Sequence, residues 1–312
     1  MGTTGIILIV LAAVAVVYFV IAYFCFRFAA NRRRPLDPEA NLADARFDGS
    51  REWVKEERAF LRSLPFETWE IVSHDGLKLR AKYYGAETPR AAVLLFHGYR
   101  SSGYNDFSVI VRRYLAAGYS VLIVDERAHG ESEGKYIGFG VLERLDCVRW
   151  AREAAARFGC GMPLVIHGLS MGASTVLMAS GEELPDSVRG IIADCGFTSP
   201  KAILSAVVRQ RNRVPPFLIV PAAGVWFRLL AHYGIRECST TEALKKNTRP
   251  VLLIHGEADD FVPYFMGVEN RDAAGENAVF VSVPGALHGM SYLVDRERCE
   301  KELDAFFDRV LK

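Results

Sequence analysis

The sequence predicts an α/β fold: a mostly parallel central sheet with helices on both faces, a small helical cap, and one N-terminal transmembrane helix ahead of it. Three observations predict this. Short apolar runs alternate with helical stretches from Trp69 to the C-terminus. One connection, from Asp194 to Pro250, is too long for a simple crossover helix. Residues 6–26 carry no charge at all. The 312 residues are enough for one large domain and a short appendage, and 24% charged residues with 50% hydrophobic ones exclude a disordered body. A net charge of +1 gives no sign of a nucleic-acid partner.

The N-terminal run comes first. Residues 6–26 supply the roughly 20 apolar positions that cross a bilayer's hydrocarbon core. Tyr18, Tyr23 and the phenylalanines suit its interfacial end. A cleaved signal peptide would need a basic stretch before a shorter apolar core, and no basic residue precedes this one. Phe28-Ala29-Ala30 is also a poor cleavage site, so residues 1–30 read as a retained anchor. Arg27 and Arg32-Arg33-Arg34 all lie on the C-terminal flank, which places the following domain in the cytoplasm.

Residues 31–66 read as a linker and a short helix. The stretch 31–49 is polar and holds Pro35 and Pro38. Ser50 is placed to cap a helix running to about Ser63, with Trp53, Phe60 and Leu61 as its main apolar positions.

The main domain is expected over residues 67–312. Segments 69–73 and 77–84 read as strands joined at His74-Asp75-Gly76, a hairpin signal. Further strands fall at 92–96, 120–124, 164–166, 190–193, 251–254 and 278–283. Such continuous apolar strands are buried on both faces, as in a parallel sheet covered by helices. Residues 197–248 carry apolar stretches at helical spacing, broken by Pro215-Pro216 and Pro221, and read as a cap over the sheet's C-terminal edge. Open α/β folds bind ligands at that edge.

The chemistry centres on Gly168-Leu169-Ser170-Met171-Gly172. An apolar strand runs into Gly-x-Ser-x-Gly, and 173–180 continues as a helix. This context makes Ser170 a candidate nucleophile in a sharp, strained turn, where a Cβ at Gly168 or Gly172 would collide with its neighbours. Taken alone, Gly-x-Ser-x-Gly also arises by chance. A serine hydroxyl needs a base. Downstream lie only His232, His255 and His288. His288 sits in Pro284-Gly285-Ala286-Leu287-His288-Gly289, a loop after the last strand, and is the candidate base. His255 ends a strand and reads as structural, while His232 reads as a packed cap residue.

The acid that holds the imidazole tautomer and offsets its charge should follow the preceding strand. Asp259, Asp260 and Glu257 compete there, with Asp194 a further rival, and spacing does not choose among them. Two backbone N–H groups are needed for an oxyanion. Met171, just after the nucleophile, supplies one, and Tyr99, in the loop after 92–96, supplies the other. His97 reads as a residue that orders this loop.

Five segments then occur in order: His97-Gly98-Tyr99, Asp125 to Ser132, Gly168 to Gly172, His255 to Pro263, and His288. Together they resemble the α/β-hydrolase superfamily, near its Bem46-like and serine-aminopeptidase-like esterase branches. The resemblance covers residues 67–312 and implies the α/β-hydrolase fold. It also implies that the acid is Asp259, the aspartate of His-Gly-x-x-Asp-x-x-Val-Pro. The segment from Asp125 to Ser132 is structural in the family. One departure stands out: the family's Arg-Gly-His-Gly reads Arg127-Ala128-His129-Gly130 here.

The expected activity is cleavage of an acyl bond, as a carboxylester or thioester hydrolase of esterase or lipase type, through an acyl-enzyme. This chemistry calls for no metal or organic cofactor. The expected partners are a small-molecule or lipid-like acyl substrate and a membrane. Between 196 and 248 there are eight basic residues, Arg209, Arg211 and Arg213 among them, but only Glu237 and Glu242 are acidic. That balance favours anionic or lipid-like acyl groups over the ammonium of an aminopeptidase substrate, or is simply a solvated basic face. The rivals are an amidase or aminopeptidase with the same triad, and a non-catalytic binding protein on this fold. A third rival is a hydrolase-fold enzyme of another reaction type, such as a haloperoxidase, dehalogenase or epoxide hydrolase, of which the last two need an aspartate where Ser170 stands. Cys25, Cys147, Cys160, Cys195, Cys238 and Cys299 show no CxxC or metal-ligand spacing and read as idle thiols of a reducing compartment.

Overall fold

A run of some 20 apolar side chains with no partner strand satisfies its backbone N–H groups within the segment by forming a helix. The run at the N-terminus forms α1 (Thr3–Ala30), 28 residues and about 42 Å at 1.5 Å per residue. The structure, a computed structural model, describes residues 2–33, 42–159 and 161–312. Arg34, Pro35 and Pro38 of the expected linker, and Cys160, lie outside the described residues.

Most of α1 is exposed, but Ala22, Phe26 and Ala30 are buried against the rest of the chain. The described parts of 31–49 also differ from a free linker. Asn31 bridges Tyr136, and Leu42 and Phe47 enter a small apolar cluster with Val54. The next helix, α2, spans Arg51–Ser63. Ser50 stands at its N-cap position but does not cap it, since its hydroxyl donates to the Phe47 carbonyl instead. The buried face of α2 is Val54, Glu57, Arg58 and Leu61, with Trp53 and Phe60 only half-buried. The physical reason is Arg112, which pairs with Glu57 at 3.0 Å and stacks over the Phe60 ring.

The domain then proceeds β1 (Glu67–Val72), β2 (Lys78–Tyr84), β3 (Ala91–Phe96), α3 (Gly103–Ala116), β4 (Tyr119–Val124), α4 (Glu143–Phe158), β5 (Leu164–Leu169), α5 (Met171–Ala179) and β6 (Val188–Asp194). After β6 come α6 (Pro200–Asn212), α7 (Pro216–Leu230) and α8 (Thr240–Leu244). The chain closes with β7 (Val251–Gly256), α9 (Tyr264–Ala274), β8 (Ala278–Val283), α10 (Ser291–Val294) and α11 (Arg296–Val310). The strands form one eight-stranded sheet in the order β1-β2-β4-β3-β5-β6-β7-β8. β1 and β2 are antiparallel, β2 meets β4 antiparallel, and every pairing from β4 to β8 is parallel.

Two apolar layers sandwich the sheet. Leu94, Ile166 and Ile191 point to one side, with Trp150 of α4 and Leu177 of α5. Val93, Val165 and Ile192 point to the other, with Phe107 of α3 and Phe307 of α11. Period-2 alternation with both faces covered is why these strands read as continuous apolar runs. The helices α6 to α8 fall in the long connection after β6. Phe197, Ile203, Val220 and Phe227 from this stretch share one cluster with Met171 and Val262, over the C-terminal edge of the sheet. The same cluster includes Phe26 and Ala30 of α1.

Candidate active site

Ser170 lies between β5 and α5 with φ 56° and ψ −111°. A Cβ on Gly168 would fall 2.1 Å from the Gly172 carbonyl oxygen, and one on Gly172 would fall 1.8 Å from that of Phe96. Both contacts are with backbone, so only glycine fits. Ser170 N–H donates to the Asp194 carbonyl at 2.8 Å, which fixes the turn against β6. The side chain is nearly covered, with Ser170 only 5% exposed.

From this turn the hydroxyl reaches His288. Ser170 Oγ lies 2.8 Å from His288 Nε2, and His288 Nδ1 lies 2.8 Å from Asp259 Oδ2. Asp259 Oδ1 accepts the N–H groups of Phe261 (2.9 Å) and Val262 (2.8 Å). Burial pushes the Asp259 carboxyl up, but hydrogen bonds from His255 and His288 and the charge of His288 outweigh this and hold it well below the usual carboxylate range. The acid therefore stays ionised beside the imidazole.

The rival acids sit elsewhere. Asp260 and Glu257 are exposed, and Glu257 accepts from the Ser282 hydroxyl. Asp194 is buried beside the Ser291 hydroxyl at 3.4 Å, and burial, only partly offset by His255 and His288, raises it to about 6. His255 is buried, with Nε2 at 3.1 Å from the Val262 carbonyl and 3.3 Å from Asp259 Oδ2. It thus braces the acid. His232 departs from the reading as a packed residue: it is exposed and at φ 60°, because the chain turns sharply out of α7 there.

The loop after β3 abuts Ser170. A Cβ on Gly98 would come within 3.4 Å of the Ser170 Cβ. Gly98 N–H donates to Asp106 Oδ2 at 2.7 Å, and Arg100 N–H donates to His129 Nε2 at 3.0 Å. Between them, the Tyr99 N–H donates to no described residue, and neither does that of Met171. His97 bridges the loop to the next strand, with Nδ1 at 2.9 Å from the Gly98 carbonyl and Nε2 accepting Glu126 N–H. Ala128 holds a buried left-handed turn at φ 60°, so the backbone keeps the shape that glycine serves in the related motif. His255 has the structural role read for it, while sequence reasoning missed Asp106 as a support, since it lies in no pattern that distinguishes it from any acidic residue of a helix's first turn.

At the rim, the Phe261 ring lies 5.2 Å from that of His288, and the Arg211 guanidinium stacks on Phe261 at 5.1 Å. Cys195, Asp259 and His288 each place one ligand-type atom within 4.8 Å of the others. The imidazole and carboxylate are already bonded to each other, and burial pushes the Cys195 thiol well up, so this set is the Ser–His–Asp chain plus a neighbour. Surface clefts of about 400 and 380 Å³ lie elsewhere, lined by Trp53, Arg112 and Tyr292 in one and by Phe66, Lys82 and Tyr104 in the other.

The chain is similar to known proteins over most of its length. Residues 87–232 match the family model described as serine aminopeptidase, S33, and residues 235–309 match that of TAP-like protein. The YqkD protein of Bacillus subtilis (strain 168) is 30% identical over 225 residues, covering 72% of this chain and 73% of its own. The bifunctional esterase/perhydrolase DCH of Acinetobacter calcoaceticus is 26% identical, covering 76% of this chain and 98% of its own. A solved Pyrococcus furiosus esterase superimposes with a TM-score of 0.64 at 22% identity, covering 80% of this chain and 93% of its own.

Proposed function

Since the chain belongs to the α/β-hydrolase superfamily of serine hydrolases, we propose that it cleaves carboxylic esters or thioesters with Ser170 as nucleophile, His288 as general base and Asp259 as the orienting acid. The observation that carries this reading is the unbroken chain of two 2.8 Å contacts from Ser170 Oγ through His288 to Asp259. His288 Nε2 takes the hydroxyl proton as Oγ attacks the acyl carbon. The N–H groups of Tyr99 and Met171 receive the oxyanion. His288 returns the proton to the leaving alcohol or thiol as the carbon–heteroatom bond breaks. Water, deprotonated by His288, then releases the acid from Ser170. Asp259, kept ionised, balances the imidazolium at both stages.

The acyl group proposed is apolar and lipid-like, in a substrate that carries an anionic group. The apolar cluster beneath the cap supports the first part, and Arg211 stacked on Phe261 beside His288 supports the second. The long apolar helix α1 suits a single membrane span, and the arginines on its C-terminal flank favour a cytoplasmic domain.

The test is labelling by a fluorophosphonate probe, wild type against Ser170→Ala, with turnover of p-nitrophenyl esters of increasing chain length and of a p-nitroanilide. Labelling confined to wild type, with esters turned over faster than the anilide, is the expected result. A folded wild type that neither labels nor hydrolyses esters overturns the reading.

A further inference from the structure

The last four carbonyls of a helix have no partner within it. In α1 two of these groups, the carbonyls of Phe28 and Ala29, are taken up by the loop that follows β3. The Tyr99 hydroxyl donates to the Ala29 carbonyl at 2.7 Å. The Arg100 guanidinium donates to the Phe28 carbonyl and lies 3.4 Å from that of Ala29. Its charge faces the negative end of the helix dipole, where a cation is favoured. It also stacks on the rings of Phe28 and Tyr99, at 5.4 and 4.6 Å.

The attachment is broad. Ile137 N–H donates to the Ala30 carbonyl at 2.7 Å, and the Arg32 guanidinium donates to the carbonyls of Gly130 and Ser132 at 2.5 and 2.6 Å. Phe26 and Ala30 are fully buried in the cluster that holds Met171. The Tyr99 ring stacks on Phe139 of that cluster at 5.2 Å between centroids.

We infer that the C-terminal turn of α1 sets the oxyanion loop, with the Tyr99 hydroxyl and the Arg100 guanidinium as the positioning groups. The inference rests on the reading of the Tyr99 N–H as an oxyanion donor. Arg100 sits at φ 55°, a left-handed conformation that residues with a side chain rarely adopt. Something must hold it there, and both ends of the residue are held: the N–H by His129, the guanidinium by α1. An oxyanion donor acts through its exact distance from the developing charge, so loosening the loop weakens the transition state and leaves substrate binding intact. The helix that anchors the chain is in this way part of its active site.

The experiment uses the full-length protein in detergent with a soluble short-chain p-nitrophenyl ester. The variants are Tyr99→Phe, Arg100→Ala, Arg100→Lys and the Tyr99→Phe/Arg100→Ala pair. Rates are normalised to sites titrated to completion by fluorophosphonate. In the paired variant kcat is expected to fall about tenfold or more, short of the 10²–10³ seen when an oxyanion donor is lost outright. KM should stay near wild type. The Ki of a trifluoromethyl ketone, which mimics the tetrahedral state, should rise by the same factor as kcat falls. Arg100→Lys should recover part of the loss.

A fall in titratable sites with kcat per site and Ki unchanged would mean a purely structural attachment and would overturn the inference. If the paired variant does not fold, Tyr99→Phe decides, since it removes one oxygen and keeps the ring on Phe139. Unchanged kcat and Ki in that variant overturn the inference equally. An active Ser170→Ala, by contrast, would overturn the triad reading beneath it.

Discussion

Asp194 ends β6 and Asp259 lies in the loop after the neighbouring β7, and both carboxylates are buried, yet their surroundings drive them in opposite directions. Asp259 accepts two backbone N–H groups and faces two imidazoles, so its charge is favoured. Asp194 has a single hydroxyl at 3.4 Å and rises to about 6. Asp259→Asn should lower kcat by about 10⁴, the scale seen when an orienting acid is neutralised, whereas Asp194→Asn should leave it nearly unchanged. A folded state that raises a carboxyl's pKa prefers it protonated. Asp194 therefore costs nothing below the unfolded value near 4, and its cost grows as pH rises to about 6 and stays constant above. Asp194→Asn should accordingly stabilise the protein at pH 8 relative to pH 4, by up to about 3 kcal/mol. Thermal melts of both proteins at the two pH values check this, and a pH-independent difference would contradict it. Ser170 and His288 were legible in the sequence because glycines flank them at element ends. The acid was not legible from spacing, because four carboxylates lie near two strand ends and only the folded backbone decides which one meets the imidazole.

At the scale of elements, the turn from β5 to α5 leaves the least freedom. The Cβ of Gly172→Ala would meet the Phe96 carbonyl at 1.8 Å, and a strand at the centre of the sheet cannot move aside. That variant should lose fluorophosphonate labelling and destabilise the fold by about 3 kcal/mol or more, read from its melting temperature. The cap is held less tightly to one answer. Arg209, Arg211 and Arg213 are exposed at the end of α6 and just beyond it. Replacing all three by alanine should slow turnover of anionic or bilayer-borne esters selectively, and an equal loss on neutral soluble esters would count against recognition there. The cap's helices were legible from apolar spacing and its prolines. What the inner face of α7 touches was not, because a pattern of apolar positions does not name the surface that covers them. That surface is partly α1: Phe227 packs edge-on against Phe26, and Trp226 donates to the Phe19 carbonyl.

For the molecule as a whole, α1 belongs structurally to the domain. Deleting residues 2–30 should lower the melting temperature, since Phe26 alone contributes about 2 kcal/mol by burial. A truncated protein that melts at the wild-type temperature would show the attachment to be superficial. The strands and the two-layer core follow from runs that any reading of apolar periodicity finds, whereas the order of the strands in the sheet does not. The seating of the N-terminal helix does not, because its apolar surface would satisfy lipid as well as protein.

The length of α1 gives this seating a further meaning. The stretch from Phe19 to Ala30, the last twelve of its 28 residues, is the part that meets the domain, and the turns before it stand clear. With α1 across a bilayer, its contacts with the body would leave no free stalk among the described residues on which the body could swivel. Every copy would stand at one fixed attitude to the lipid plane, and tumbling, which a loosely moored enzyme keeps, would be gone. Its search for substrate then becomes a glide in two dimensions, with the same flank always turned toward the leaflet.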